Sequence, residues 1–295
     1  AQEGKSVEDI LTHYYTDTSV EDLAFPTGKA KKQQLKVQVI GPSPYARRAS
    51  DNRTTVPVTV RGGGWALRDK DGVVTKSSSG DTVTFKIASG KKIAAYVGQG
   101  STPVATATRF ELRWDGTRYR KATGKQATVE IPGANGTYRH GRLDIRVVNG
   151  QLNIVNELLL NTEYLYGIAE MPSSWGEKGG AAALQAQAIA ARNYAASAFL
   201  DSAGKPVSPR SSCRCHLVDD VHDQNFTGWK KEGEGTSQRY GKLWKAAVDA
   251  TVGEGGATGK VLRYTGSDKD FRGKLVTAYY SSSSGGATLN SEDAW

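Results

Sequence analysis

Residues 163–175 read EYLYGIAEMPSSW, and residues 181–199 read AAALQAQAIAARNYAASAF. The first stretch reads as a turn and the second as a helix. Pro172 steers Met171 away from the right-handed helical region, so Glu170 is expected at a fixed bend. Ile168, Ala169 and Met171 surround its carboxylate with apolar atoms. Desolvation of the charged form raises a carboxyl pKa, and a raised pKa suits a general acid near neutral pH. The plain alternative on this local pattern is a surface glutamate that caps the helix after Pro172. The helix over 181–199 puts Leu184, Ala188, Ala191 and Ala195 on one face, with Ile189 and Phe199 nearby. Alanine at most of these positions allows close approach to whatever the helix packs on.

Upstream of this pair the hydrophobic period is two. Val37 and Val39 alternate, as do Val56, Val58 and Val60, then Val83, Phe85 and Ile87, then Phe110, Leu112 and Trp114, then Leu143, Ile145 and Val147. Asp71-Gly72, Asp115-Gly116 and Asn149-Gly150 lie between such runs as hairpin signals. The expected class is α+β: an antiparallel β-rich N-terminal region, then a region built around the alanine-rich helix. The boundaries drawn are a polar leader over 1–35, a β-rich accessory region over 36–137 and a third region over 138–295. Within the leader, Ser6 followed by Glu8 and Asp9 opens a short helix through Ile10, Leu11 and Tyr14. Downstream, a helix is expected from Lys242 to Thr251, with strands over Lys260–Tyr264 and Lys274–Tyr280.

The chain has 295 residues, 38% of them hydrophobic, which suffices for a sizeable core and argues against global disorder. Lys and Arg number 39 against 30 Asp and Glu, a net +9 that favours anionic partners. The basic residues are scattered, with no dense run beyond Lys29–Lys32, and no nucleic-acid fold signature accompanies them. No apolar run approaches the ~20 residues of a membrane span. The single methionine is Met171 and the chain opens at Ala1, the pattern of a chain trimmed of a leader.

Three further groups of residues carry chemistry. Ser281–Ser284 with Gly285-Gly286 lack a His in a triad pattern; Ser283, Ser284 and Gly285 are better read as a groove lining that binds substrate through hydroxyls and backbone. Tyr279 and Tyr280 are stacking candidates, one of which must face inward. Gln187 and Arg192 are polar on an apolar helix. Gln187 is a substrate-binding candidate, whereas Arg192 is read as a buried brace for the turn. Both cysteines, Cys213 and Cys215, fall beside His216, with His222 six residues on. Cys₂His₂ is a structural zinc set when tetrahedral, and the alternatives are a Cys-x-Cys disulfide or two free thiols. No HExxH pattern supports a zinc peptidase.

A set of motifs in order resembles the SpoIID/LytB family of bacterial wall proteins. It comprises Asn156-Glu157, Tyr164-Leu165-Tyr166-Gly167, Glu170-Met171-Pro172, Ser174-Trp175 and the run from Ala183 to Tyr194. Gln224-Asn225-Phe226-Thr227-Gly228, the segment from Ala247 to Tyr264, and Ser283 to Trp295 continue it. The chain departs from the family pattern at Gly176 (usually Pro), Asn193 (usually Thr) and Phe226 (often Tyr). The resemblance implies a peptidoglycan lytic transglycosylase in which Glu170 serves as general acid and then base. Glu157 and Glu163 are the rival carboxylates, and Glu163 is expected to face solvent. It further implies glycan strands as substrate, a wall amidase as a companion, a location outside the cytoplasm, and a structural zinc at Cys213, Cys215, His216 and His222. Stem-peptide carboxylates and phosphodiester polymers of the wall, rather than nucleic acid, would then answer the basic charge. The alternative is a non-catalytic wall-binding or amidase-stimulating protein on the same fold.

Overall fold

Strand and helix follow the two hydrophobic periods. A computed structural model describes residues 4–25, 34–46, 49–121, 124–201 and 204–280. In chain order these form α1 (Val7–Tyr14), β1 (Thr18–Ala24), β2 (Leu35–Ile40), β3 (Thr55–Arg61), β4 (Trp65–Arg68), β5 (Val73–Ser77), β6 (Thr82–Ile87), β7 (Ile93–Val97), β8 (Ala105–Ala107), β9 (Arg109–Trp114), β10 (Thr128–Glu130), β11 (Thr137–Tyr138), β12 (Arg142–Val148), β13 (Gln151–Leu158), α2 (Ala181–Phe199), β14 (Leu217–Val218), α3 (Trp229–Glu232), α4 (Arg239–Asp249) and β15 (Thr258–Tyr264). The fold is α+β, and its strand pairs are antiparallel except for the parallel pair β14–β2.

One sheet runs β11-β10-β3-β6-β7-β8 and the other β14-β2-β13-β12-β9-β4-β5. Val56, Val58, Val60, Val83 and Phe85 of the first share a core with Phe110, Leu112, Trp114, Leu143 and Ile145 of the second. The Phe85 and Phe110 rings meet at 5.8 Å between centroids. Burying each such side chain contributes about 1.5–3 kcal/mol, so this alternating set, and not the loops, holds the two sheets together.

The Asn149-Gly150 hairpin forms between β12 and β13, with φ of 49° and 76° at its two residues. Both are left-handed, as a type I′ turn requires. Asp71-Gly72 likewise joins β4 to β5. Asp115-Gly116 does not join paired strands. The Asp115 carboxylate accepts from the Gly64 N–H at 2.9 Å and from Arg120 at 2.6 Å, which turns the chain away from the sheet.

The division expected at residue 138 cuts through one sheet, because β12 and β13 lie between β9 and β2. The leader is likewise tied in. Ser6 and Asp9 form a reciprocal capping box that starts α1. Leu11 packs with Ala186, Ile189 and Leu262, and β1 pairs with β15 along its whole length. The strand expected over 274–280 reduces to a single bridge, Leu275 with Arg263.

Helix α2 spans the predicted residues and is buried around most of its circumference. A helix enclosed this way must satisfy its polar side chains internally. Asn193 does so by donating to the Leu262 and Val276 carbonyls at 2.8 and 2.9 Å and accepting from the Leu262 N–H at 2.8 Å. It thereby holds the segment after β15 that β-pairing leaves loose. Asn193→Ala should lower stability in urea unfolding by about 1–3 kcal/mol, the cost of stranded buried backbone groups, with Asn193→Thr recovering part of the loss.

Candidate functional site

The turn carrying Glu170 is held by an antiparallel contact with a segment sixty residues downstream. Ile168 bridges Phe226, Ala169 N–H donates to the Asn225 carbonyl at 2.8 Å, and Thr227 and Gly228 N–H donate to the Gly167 carbonyl. A Cβ on Gly167 would lie 2.5 Å from the Phe226 ring and 2.6 Å from Gly228 Cα. The crossing therefore excludes any other residue at 167. Gly228 has φ 57° and ψ −123°, a conformation that glycine adopts at little cost.

Glu170 is half-buried at the end of this contact. Its Oε1 accepts from the Asn225 backbone N–H at 2.6 Å, and no hydrogen bond to Oε2 is formed among the described residues. The Asn225 side chain is used to hold the turn, donating to the Ala169 carbonyl at 3.0 Å. Asn135 supports it from the β-sandwich by donating to Asn225 Oδ1 at 2.8 Å and to the Asp219 carbonyl at 2.7 Å. On the other side of Glu170, buried Lys231 donates to the Met171 carbonyl at 2.7 Å and pairs with Glu234 at 2.9 Å. Burial pulls the Lys231 ammonium below its usual range, against the opposing pull of Glu234. Ser173 donates to the same Glu234 at 2.6 Å. Both flanks of the acid are thus pinned through backbone carbonyls.

Behind the acid lies a row of polar side chains centred on fully buried Gln224. Its amide nitrogen donates to the Ala191 carbonyl of α2 at 3.2 Å, which fixes the amide orientation. The same nitrogen reaches the Tyr280 hydroxyl at 2.5 Å, and Gln224 Oε1 accepts from Tyr164 at 2.9 Å. Burial, and then the charge of Glu170, push the Tyr280 phenol well above its usual range. Tyr164 is pushed up by burial and then by Tyr280, Asp223, Tyr194 and Glu170. Both phenols stay protonated near neutral pH. Because Tyr280 accepts from Gln224, its own proton remains available to another oxygen.

The other sequence candidates separate. Tyr280 turns inward while Tyr279 is exposed. Gln187 is one helical turn before Ala191 on the same face of α2, and its amide nitrogen is buried without a hydrogen bond. Ser283, Ser284 and Gly285 lie outside the described residues. Arg192 is fully buried and donates to Asn161 Oδ1, the Lys260 carbonyl and Thr251 Oγ1 at 2.8–2.9 Å. Burial pulls its pKa down to about 9, with no carboxylate partner to offset it. It ties α2 to the turn before β15. Both rival carboxylates are engaged. Glu157 is buried in an ion pair with Arg142 at 2.5 Å. Glu163 does not face solvent as expected: its carboxylate pairs with Arg118 and accepts from the Leu159 N–H at 2.9 Å.

The zinc set at Cys213, Cys215, His216 and His222 does not fit a metal. The two sulfurs are bonded to each other in a disulfide, and so are not the thiolates that zinc takes. The Lys36 backbone N–H donates to His216 Nδ1 at 3.0 Å, and His216 Nε2 lies 3.2 Å from the Val207 carbonyl. Both ring nitrogens are spent on the backbone. His222 contacts Asp220 at 2.8 Å. Among the described residues no group of three or more His, Cys, Asp or Glu is arranged to hold a metal ion. The disulfide loop instead packs on Val155 and Val218, next to Tyr45. Beyond it, Asp223 accepts from Tyr45, Tyr194 and the Val218 N–H.

Asn225, Gln224, Asn135 and Lys231 received no role from the sequence. The first two stood in a quoted motif, and their role follows only from the pairing of 167–170 with 225–228. Asn135 and Lys231 sit in stretches without a motif.

Residues 148–255 match the model of the SpoIID family, described as stage II sporulation protein, a family linked to cell-wall lytic activity. No curated protein and no solved structure matches the chain.

Two outcomes follow from this geometry. Gly167→Ala should lower stability by about 1–3 kcal/mol through overpacking against backbone, read as a shift in the urea midpoint. Burial lowers the His216 pKa from 6.5 to about 4. The unfolded chain therefore takes up a proton below about pH 6.5 that the folded state refuses until about pH 4. Stability should fall by about 3 kcal/mol across that window and level off below it, and His216→Gln should remove this component in urea melts at pH 7 and pH 4.5.

Proposed function

From the SpoIID domain that the chain carries over residues 148–255, we propose that it is a peptidoglycan lytic transglycosylase in which Glu170 is the single acid and base. The observation that carries the reading is the placement of one carboxylate at a pinned, half-exposed bend, with one oxygen held by the Asn225 N–H and the other unengaged by the described residues. The nearby rivals Glu157 and Glu163 are already spent on arginines.

One placed acid suffices for this chemistry. The Glu170 carboxyl donates its proton to the glycosidic oxygen as the bond from C1 of N-acetylmuramic acid to that oxygen breaks. The resulting carboxylate takes the proton of the same sugar's 6-hydroxyl while O6 bonds to C1. The product is a 1,6-anhydro sugar, no water is consumed, and Glu170 ends protonated as it began. A second carboxylate of the kind ordinary glycosidases use is not required. Tyr280, held by Gln224 with a free proton, would steady an oxygen of the sugar or of Glu170. Glycan strands are then the partner, acted on outside the cytoplasm, with an amidase that strips stem peptides as a natural companion.

Incubating the full chain with purified glycan strands, with and without stem peptides, should yield anhydro-muropeptides by mass spectrometry. Glu170→Gln should lower their rate of appearance by about 10²–10⁴-fold, the usual contribution of a placed general acid, with unchanged melting. Products that persist in Glu170→Gln would remove the acid from this role. Pelleting with insoluble wall without any glycan cleavage would favour a binding protein on the same fold.

A further inference from the structure

The outer face of the seven-stranded sheet has a charge pattern that the lytic reading does not use. Pleating sends Phe110, Leu112, Leu143 and Ile145 into the core, so their neighbours on β9 and β12 face the other way. Those neighbours are Arg109, Glu111 and Arg113 on β9, and Arg142, Asp144 and Arg146 on β12. By register, Arg68 lies opposite Glu111, Lys76 lies opposite Ala66, and Lys36 lies opposite Glu157. Seven cations thus share the face with three carboxylates.

Depth decides what the solvent meets. The side chains of Glu111 and Asp144 are 8% exposed and that of Glu157 is 1% exposed. Arg109, Arg113 and Arg146 are 22%, 27% and 30% exposed. Each acid is shared by two or more cations: Glu111 by Arg109, Arg113 and Arg142, and Asp144 by Arg109 and Arg146. The carboxylates form a floor that fixes the guanidinium forks, and the surplus positive charge lies above it. At the edge of this face, Arg214 extends from the disulfide loop at φ 53°, and with Lys36 and Arg146 it lines a small pocket over the Asp144 and Glu157 carboxylates. Arg214, Arg68 and Lys76 make no ion pair among the described residues.

We propose that this face docks a phosphodiester-linked wall polymer of the polyglycerol phosphate type and so holds the enzyme against its substrate. A planar fork on a fixed floor matches phosphate oxygens two at a time. The cations recur along and across the strands, which suits a repeating monoanion better than one compact ligand. A single-stranded nucleic acid needs exposed aromatic platforms for its bases. The aromatics beside this face are instead covered, Tyr119 by the guanidinium groups of Arg113, Arg118 and Arg142 at 4.5–5.6 Å from its ring, and Tyr45 by Arg210 at 4.8 Å and the stacked His222 ring. The choice of a wall polymer as occupant rests on the lytic reading, while the polyanion affinity of the face does not.

The test is fluorescence anisotropy of a labelled polyglycerol phosphate oligomer titrated with the full chain at several salt concentrations. Wild type should bind, with affinity falling as salt rises. The triple variant Arg68→Gln/Lys76→Gln/Arg214→Gln breaks no ion pair with the buried acids, and it should lose tenfold or more in affinity and show a shallower salt dependence. Arg109→Lys/Arg113→Lys/Arg146→Lys keeps the charge but not the forks; it should bind more weakly than wild type with its salt dependence retained. Absence of binding at low salt, an unchanged affinity in the glutamine variant, or tighter binding to single-stranded DNA of equal phosphate count would overturn the proposal. The glycan-strand assay contains no phosphodiester polymer, so failure here leaves the role of Glu170 standing, and loss of that role leaves this measurement intact.

Discussion

The close crossing of Gly167 with Gly228 and Phe226 is the constraint on which the rest of the site depends. It converts two loops far apart in the chain into a short antiparallel pair whose backbone supplies the N–H that holds Glu170. A side chain at 167 would separate the segments by the width of a methyl group, and the acid would lose its backbone partner. Because the crossing uses main-chain atoms, it aims the carboxylate with little conformational freedom to lose, which is what the acid-and-base role proposed for Glu170 would require.

The helix beneath the crossing explains the composition around it. Helix α2 is enclosed on most sides, so alanine lets other elements approach while Arg192 and Asn193 anchor what alanine cannot hold. A buried guanidinium without a carboxylate is costly, and the downward displacement of its pKa to about 9 records that cost. Three hydrogen bonds, to the turn that opens at Leu160 and to both sides of the approach to β15, offset it and tie the ends of this region together. Gln224 then joins the helix to the crossing and to two phenols. The helix thus braces the loops, including the one that carries Glu170.

Much of this was legible from residue order. The period-two runs became the facing strands of the sandwich, α2 took its predicted span, and Ser6 opened α1 as its capping pattern required. Asp115-Gly116 misled because a hairpin signal reports a tight turn, not where the chain goes next; the Gly64 and Arg120 contacts of Asp115 took it elsewhere. The boundary at 138 followed the reach of the family motifs, whereas the strand period and the sheet ladder both run on past it. The cysteine and histidine cluster left zinc and a Cys-x-Cys disulfide open, and the structure has the disulfide; proximity in sequence cannot show which atoms a ring nitrogen or sulfur has already bonded.

By itself the sequence determined the class of fold, the helix–turn pair and the identity of the acid worth testing, since all three are written in local period and in residues near one another. Tertiary structure alone decided that Asn225 holds Glu170, that Gln224 orients Tyr280, that Glu163 is occupied by Arg118, and that the outer sheet face presents cations over buried acids. The physical reason is common to all four. Each depends on pairing between segments some forty to more than a hundred residues apart, or on which face of a strand is covered, and neither leaves a local pattern to read.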